Sequence, residues 1–423
     1  MRETKRYKMK ILWIVNMVMP ELAEQLGVQT GASGTWMIDI SKMLADHPDI
    51  DLAIACVHGK TFKKIEVNGI TYYTLPGNGK NMLFYTKRYE KLWKEINQDY
   101  APDIVHLHGT EYSHGLSFLR ANPDVKAVVS IQGILNRIKD VDLGGLPIRH
   151  YIFNRTLKQY LRMNGEIELH NLNKRNAKHE TEILNRVEYI NAVNTWDSSI
   201  CKAINSKLKV FKIEYNLREE MYASPKWDVS KAHRHTIFTN PGGTPLKGLH
   251  QLIEAVALLK PKYPDIKVKV PGMGSNGKLC VTSAYSKYIS KLIKRYGLEE
   301  NVVFLGRQSG QQMCDNMLSS RVTVVPSAIE GTSLVLREAM FLGAPVIASF
   351  RGGMADFISD KVDGFLYDYQ EYPYLAERIE QIFESDDLCM SFSAAAIQKA
   401  AVAHDREKNM SDYLQMYKDI AGI

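Results

Sequence analysis

The chain has 423 residues, 45% apolar and 24% charged, which exceeds one typical core and predicts two globular domains. Its five cysteines (Cys56, Cys201, Cys280, Cys314, Cys389) form no C-x-x-C pair, which argues against a zinc site or a disulfide frame and for a reducing compartment. The net charge of +7 lies entirely in the first half: residues 1–215 carry 30 basic and 23 acidic side chains, the remainder 24 of each.

A basic half beside a neutral half suggests an anionic acceptor or an anionic membrane surface as partner, with a solvated lysine-rich face the plainer alternative. Nucleic acid is not expected, because no aromatic-basic interleaving accompanies the charge. Basic Arg2–Lys10 followed by apolar Ile11–Met19 has the outline of a signal peptide. The apolar run is short, contains Asn16 and meets Pro20-Glu21 without a small-residue cleavage site, so a first buried strand is the better reading. No apolar stretch is long enough to span a bilayer.

In chain order, strands are predicted at Lys10–Val15, Leu52–Val57, Ile104–His108, Ala127–Ile131 and Tyr189–Ala192. Helical patterns lie at Trp36–Ala45, Tyr85–Ile96 and Tyr112–Ala121. The second half repeats the alternation, with strands near Thr236–Thr239, Lys267–Val270, Val302–Leu305, Val322–Val325 and Pro345–Ala348. Such alternation predicts doubly wound parallel sheets, whose ligands bind at the carboxyl ends of the strands. The polar stretch Ser224–His235 is the expected linker, and His404–Ile420 an amphipathic last helix.

The most informative stretch is Pro326–Met340. Glu330 sits in a turn after the apolar run Val322–Val325, and Glu338 lies eight positions on, in a helix predicted over Leu334–Leu342. A strand, a tight turn and a helix start present backbone N–H groups to an anion. Two carboxylates beside that anion would accept hydrogen bonds from hydroxyls, so the expected ligand is a phosphorylated polyol. Elsewhere, His106 and His108 point the same way at a strand end, without a third ligand for a metal, and at least one is expected to be structurally satisfied. Gly272 to Lys278 fits both G-x-G-x-x-G and the start of a P-loop, but Leu279 stands where a P-loop needs Ser or Thr, which leaves a strand-end loop. Asp49-Ile50-Asp51 and Asp140-Val141-Asp142 are read as chance D-x-D pairs, and no metal is expected.

The Pro326–Met340 stretch resembles the Glu-x7-Glu motif of the retaining glycosyltransferases of family 4. The similarity extends to Leu246–Leu249, Val302–Gly306, Gly343–Ala348, Gly352–Asp356 and Asp363–Leu366, in family order over roughly the last 180 residues. The resemblance implies a GT-B fold: two facing Rossmann-like α/β domains with an interdomain cleft. They would comprise an acceptor-binding domain at 1–222, a donor-binding domain at 223–403 and a terminal helix at about 404–423 packed back on the first. It implies Glu338 on the ribose hydroxyls, Glu330 beside the donor sugar, and Gly331, Thr332, Ser333 and Leu334 supplying amides. Lys247 would neutralise the leaving diphosphate. Gly242 stands where the family has a second cation, so glycine amides or Arg307 would have to substitute. Gly272 and Gly274 would line the nucleotide pocket, and Gly31 and Gly34 belong to the loop that resembles the family's N-terminal glycine loop.

Gln132 occupies the place of a catalytic-side histidine. It cannot act as a base but can orient a hydroxyl, and with His108, Glu330 and Lys247 it completes the candidate catalytic set. The implied activity is retaining, metal-independent transfer of a sugar from a nucleotide-diphosphate sugar to a saccharide or lipid-linked acceptor in polysaccharide biosynthesis. No cofactor is implied, and the expected location is cytoplasmic, at the inner face of the membrane if the acceptor is lipid-linked. A nucleotide-sugar epimerase or hydrolase of the same fold, and a non-catalytic nucleotide-sugar-binding protein, are the alternatives.

Overall fold

A computed structural model of the chain describes residues 8–29 and 34–423. It divides into two compact units. The first comprises the residues through Asn136, Lys174–Leu217 and Asp405–Ile423; the second comprises Arg137–Asn173 and Arg218–His404.

Among the described residues the first unit has eight strands: β1 (Met9–Ile14), β2 (Ile50–Val57), β3 (Lys63–Val67), β4 (Ile70–Leu75), β5 (Ile104–His108), β6 (Ala127–Ser130), β7 (Tyr189–Asn191) and β8 (Lys209–Phe211). They form one sheet in the order β3-β4-β2-β1-β5-β6-β7-β8. All neighbours are parallel except β3, which pairs antiparallel with β4 at the edge. Strands β5 and β6 are buried along their whole length, and β1 and β2 at all but one residue each, as a sheet covered on both faces requires. Edge strand β3 exposes its lysines instead, which discourages pairing with another chain.

The last helix, Arg406–Ala421, packs Met410, Tyr413, Met416, Tyr417 and Ile420 into the core beside Ile11, Trp13 and Ile54. The Tyr417 hydroxyl accepts from Trp13 Nε1 at 2.9 Å and lies 2.7 Å from His106 Nδ1. Those contacts, more than chain position, make it part of the first unit.

The second unit has six strands among the described residues: β9 (His233–Phe238), β10 (Lys267–Leu279), β11 (Val302–Gly306), β12 (Ser320–Val325), β13 (Val346–Ser349) and β14 (Phe365–Tyr367). Their order is β11-β10-β9-β12-β13-β14, all parallel. The strand order reverses at β9, between β10 and β12. That is the switch point beside which open α/β sheets bind ligands.

Two sequence expectations change. The segment 137–173, expected in the first domain, groups with the second unit. Gly144 is the anchor: its carbonyl accepts from the Tyr369 hydroxyl at 2.8 Å and lies 3.0 Å from His250 Nε2. The boundary falls at Leu217/Arg218 rather than within Ser224–His235, because Trp227 in that polar stretch is buried and donates from Nε1 to the Ser320 carbonyl at 2.9 Å.

Candidate functional site

Lys247 lies in a short 3-10 turn after β9, and Glu330 in the turn after β12, so adjacent parallel strands deliver the two side chains to one place. The loops lock together by backbone. Ala328 donates to the Leu246 carbonyl at 2.7 Å, and a Cβ on Gly248 would lie 1.7 Å from the Pro326 carbonyl oxygen. Lys247 Nζ forms an ion pair with Glu330 Oε1, which also accepts from the Ser327 hydroxyl at 2.8 Å. The lysine is 34% exposed and the glutamate 10%, so the pair stands at a surface that a ligand can reach. Gly352, at φ +71°, bridges to Glu330, and a Cβ there would lie 2.0 Å from the Glu330 carbonyl oxygen.

The helix Leu334–Leu342 begins directly after this turn. Ser333 caps it, accepting from Leu336 N at 3.4 Å. By helix geometry the first-turn amides at Leu334 and Val335 have no acceptor within the helix, and the dipole adds partial positive charge there. Gly331 and Thr332 fill the turn ahead of the cap.

Glu338 lies on the same helix, 1% exposed, and receives a hydrogen bond from Arg218 Nε at 2.7 Å. Its second oxygen, Oε2, is buried with no hydrogen-bond partner among the described residues. Burial pushes this carboxyl above its usual range, and Arg218 pulls against that shift. A buried acceptor held by one cation and open on one oxygen suits a hydroxyl-bearing ligand.

Gly242 and Gly243 take φ of +55° and +78°, so the place of the family's second cation has backbone that an arginine would strain. The 272–280 segment folds back as a hairpin, Cys280 donating to the Met273 carbonyl at 2.8 Å. A Cβ on Gly274 would lie 2.0 Å from the Lys278 carbonyl oxygen, and one on Gly243 would lie 3.4 Å from Met273 Cγ. The hairpin therefore borders the Lys247 loop, with Gly272 at its start. Arg307 follows β11 at the sheet edge, with β10 between its strand and β9.

In the first unit a second polar cluster sits at strand ends. Gln132, two residues past β6, accepts from Asn16 Nδ2 at 3.2 Å, and its own Nε2 has no partner among the described residues. His106 is satisfied on both nitrogens, by Tyr417 and by Ser130 Oγ at 2.8 Å. His108, stacked on His106 at 4.2 Å, is buried with neither nitrogen partnered among the described residues, and burial lowers its pKa to about 3. Glu111 also belongs here: burial pushes its carboxyl up to about 8, and Oε2 has no hydrogen-bond partner among the described residues. A Cβ on Gly109 would lie 2.5 Å from Glu111 Oε2 and 3.2 Å from Gln132 Oε1, so this glycine keeps the two side chains close. Buried Glu180 fixes the loops around them, accepting from Thr110 Oγ1 at 2.7 Å and from the amides of Leu135 and Asn136, each at 2.9 Å.

Gly34 takes φ +80° at the start of the helix Thr35–Asp46, where a Cβ would strike Met17 Sδ at 2.0 Å; Gly31 lies outside the described residues. Among the described residues no three His, Cys, Asp or Glu side chains gather to hold a metal ion. Asp142 of one D-x-D pair is engaged by His170 and Asn173, at 2.7 and 2.8 Å. Sequence reasoning missed the roles of Arg218, Ser327 and Glu111. Arg218 stands 120 positions from its partner and nothing local pairs the two, while Glu111 follows a predicted strand end and could have been suspected.

Residues 233–399 match the family model of the glycosyl transferases, group 1. The chain is 25% identical over 222 residues to a protein of Bacillus subtilis named as the uncharacterized glycosyltransferase YqgM, covering 52% of this chain and 58% of that one. It is 28% identical over 174 residues to the poly(ribitol-phosphate) alpha-N-acetylglucosaminyltransferase of Staphylococcus aureus, covering 41% of this chain and 33% of the other. These matches thus span between a third and somewhat over half of the relatives' own lengths.

Among solved structures, sucrose-phosphate synthase from Thermosynechococcus elongatus aligns with a TM-score of 0.72 at 16% identity, over 98% of this chain and 99% of that chain. Anabaena HepE in complex with UDP and glucose aligns with a TM-score of 0.66 at 18% identity, over 98% and 100%. Residues 233–399 are thus similar to the glycosyl transferases of group 1, and the chain carries the fold of the GT-B glycosyltransferases.

Proposed function

We propose that the protein transfers a sugar, with retention of configuration, from a nucleotide-diphosphate sugar to a saccharide or lipid-linked acceptor, in polysaccharide biosynthesis. The observation that carries this reading is the meeting of Lys247 and Glu330 at the paired ends of β9 and β12, directly before a helix N-terminus. Departure of a nucleoside diphosphate develops negative charge on the β-phosphate, and a lysine with helix amides supplies the opposing charge. Glu338, with one buried oxygen open, accepts the ribose hydroxyls, and Glu330 contacts the donor sugar. HepE, a structural neighbour, has been solved with UDP-glucose bound, which supports a nucleotide-sugar as the donor class.

In this reading the acceptor is oriented by the polar cluster of the first unit. Glu111 is protonated near neutral pH, so it donates a hydrogen bond to an acceptor oxygen. His108 is neutral and Gln132 offers its amide N–H. The departing phosphate oxygen takes the acceptor's proton, so the chemistry requires no protein nucleophile and no metal. Calorimetric titration with a panel of nucleotide-sugars, on wild type and Glu338→Ala, tests the donor site. One nucleotide-sugar is expected to bind, with affinity falling roughly tenfold to a hundredfold in the variant, the loss expected for charged hydrogen bonds. Binding of none of them, or equal binding by both proteins, would refute it.

A further inference from the structure

Polarity is inverted over Pro147–Gly165. Along the helices Ile148–Asn154 and Leu157–Arg162, polar Asn154 and Gln159 are 5% and 6% exposed, while Phe153, Leu157 and Leu161 are 77%, 74% and 73% exposed. The inward amide N–H groups are engaged. Asn154 Nδ2 donates to the His150 carbonyl at 2.7 Å, and Gln159 Nε2 donates to Glu166 Oε2 at 3.0 Å. Buried Tyr151 donates to the Leu143 carbonyl at 2.6 Å, and the His150 ring packs on Tyr288 at 5.0 Å. The segment is therefore anchored on the second unit with its apolar side chains outward.

Of the eighteen large apolar side chains exposed among the described residues, seven fall between Ile148 and Met163. Scattered single ones need no explanation, but a contiguous group marks an interaction surface. Its charge is equally one-sided: Pro147–Gly165 contains four Arg and Lys and no Asp or Glu. Arg155 pairs with Glu168 at 2.5 Å, and Arg149, Lys158 and Arg162 are exposed among the apolar side chains.

We infer that this surface docks on an anionic lipid bilayer. Phe153, Leu157 and Leu161 enter the headgroup boundary, and Arg149, Lys158 and Arg162 meet lipid phosphates. A second copy of the chain is a poorer occupant, because two-fold pairing of the same surface would set three cations against three. Among the described residues no helix is long and apolar enough to cross a membrane. The inference does not depend on the sugar-transfer reading.

Co-sedimentation of the full chain with phosphatidylcholine vesicles, with and without phosphatidylglycerol, tests it. Binding to the anionic vesicles is expected to be roughly a hundredfold tighter, the factor three surface cations give. The Phe153→Ser/Leu157→Ser/Leu161→Ser variant should keep the wild-type melting temperature, since those side chains are exposed, and should lose binding at least about tenfold. Replacing Arg149, Lys158 and Arg162 by Gln should abolish the preference for phosphatidylglycerol. The inference is overturned if wild type ignores both vesicles or binds them equally, or if either variant binds as wild type does. It is equally overturned if sedimentation velocity without lipid finds a dimer that the serine variant dissolves.

Discussion

Arg218→Ala removes the cation that holds Glu338. The guanidinium Nε lies 2.7 Å from Glu338 Oε1, with the carboxylate 1% and the arginine 16% exposed, so solvent cannot replace the lost charge. Removing one partner of a buried pair costs about 3–5 kcal/mol when the survivor stays charged. Glu338 can instead take up a proton, because burial raises its pKa, and loss of Arg218 raises it further. Between its ordinary pKa and that raised value the folded state binds more protons than the unfolded state. The stability this contributes is fully present below the ordinary carboxylate pKa and is lost as pH rises through the folded one.

The variant is therefore predicted to lose more stability at pH 8 than at pH 6. Arg218→Ala/Glu338→Gln, which removes the charge altogether, should recover about 1–2 kcal/mol of the loss at pH 8. Urea unfolding read by hydrogen exchange of the Leu334–Leu342 helix reports on the second unit alone. A single variant within about 0.5 kcal/mol of wild type at both pH values, or a double variant no better than the single, would refute the reasoning.

Gly352→Ala should cost more than Gly272→Ala, although both glycines have φ near +70°: the first Cβ would lie 2.0 Å from the Glu330 carbonyl oxygen and the second meets nothing within 4 Å. We expect about 1–2 kcal/mol at Gly272 and several at Gly352, measured by the same urea titration. Glu111→Gln should gain on wild type as pH rises from 5 to 8, by at least about 2 kcal/mol in thermal or urea unfolding. The sign follows from a carboxyl whose folded pKa is pushed up to about 8: the amide cannot ionise, so it escapes the loss that wild type suffers over that range. A difference between the two proteins that does not change with pH would contradict the assignment.

The buried parallel strands were legible because β5 and β6 are mostly apolar, with His106, His108 and Ser130 the polar exceptions, as befits strands buried on both faces. β3 was not legible, since its partly exposed pattern carries lysines at an edge, and β14 is only three residues long. Glu330 and Glu338 were found from their spacing around a turn, and Lys247 from its place after a strand. Their partners were not: Arg218 acts through a tertiary contact 120 positions away, and Ser327, three residues before Glu330, makes a local bond that the motif's spacing does not mark. Segment 137–173 was assigned by chain order, whereas it is anchored by the Gly144 carbonyl, by His150 on Tyr288 and by Glu166 on the Tyr285 amide, all contacts with residues more than a hundred positions away.

In the proposed reaction Lys247 and Glu330 serve sugar transfer. The most direct measurement follows turnover of the donor named by calorimetry, with water or an acceptor, by proton NMR of the released nucleotide and sugar. The account predicts nucleoside diphosphate together with a sugar that first appears in the donor's own anomeric configuration. It also predicts a rate reduced by about 10²–10³ in Lys247→Ala and strongly reduced in Glu330→Gln. An inverted product would contradict the retaining chemistry, and wild-type rates in both variants would contradict the site itself.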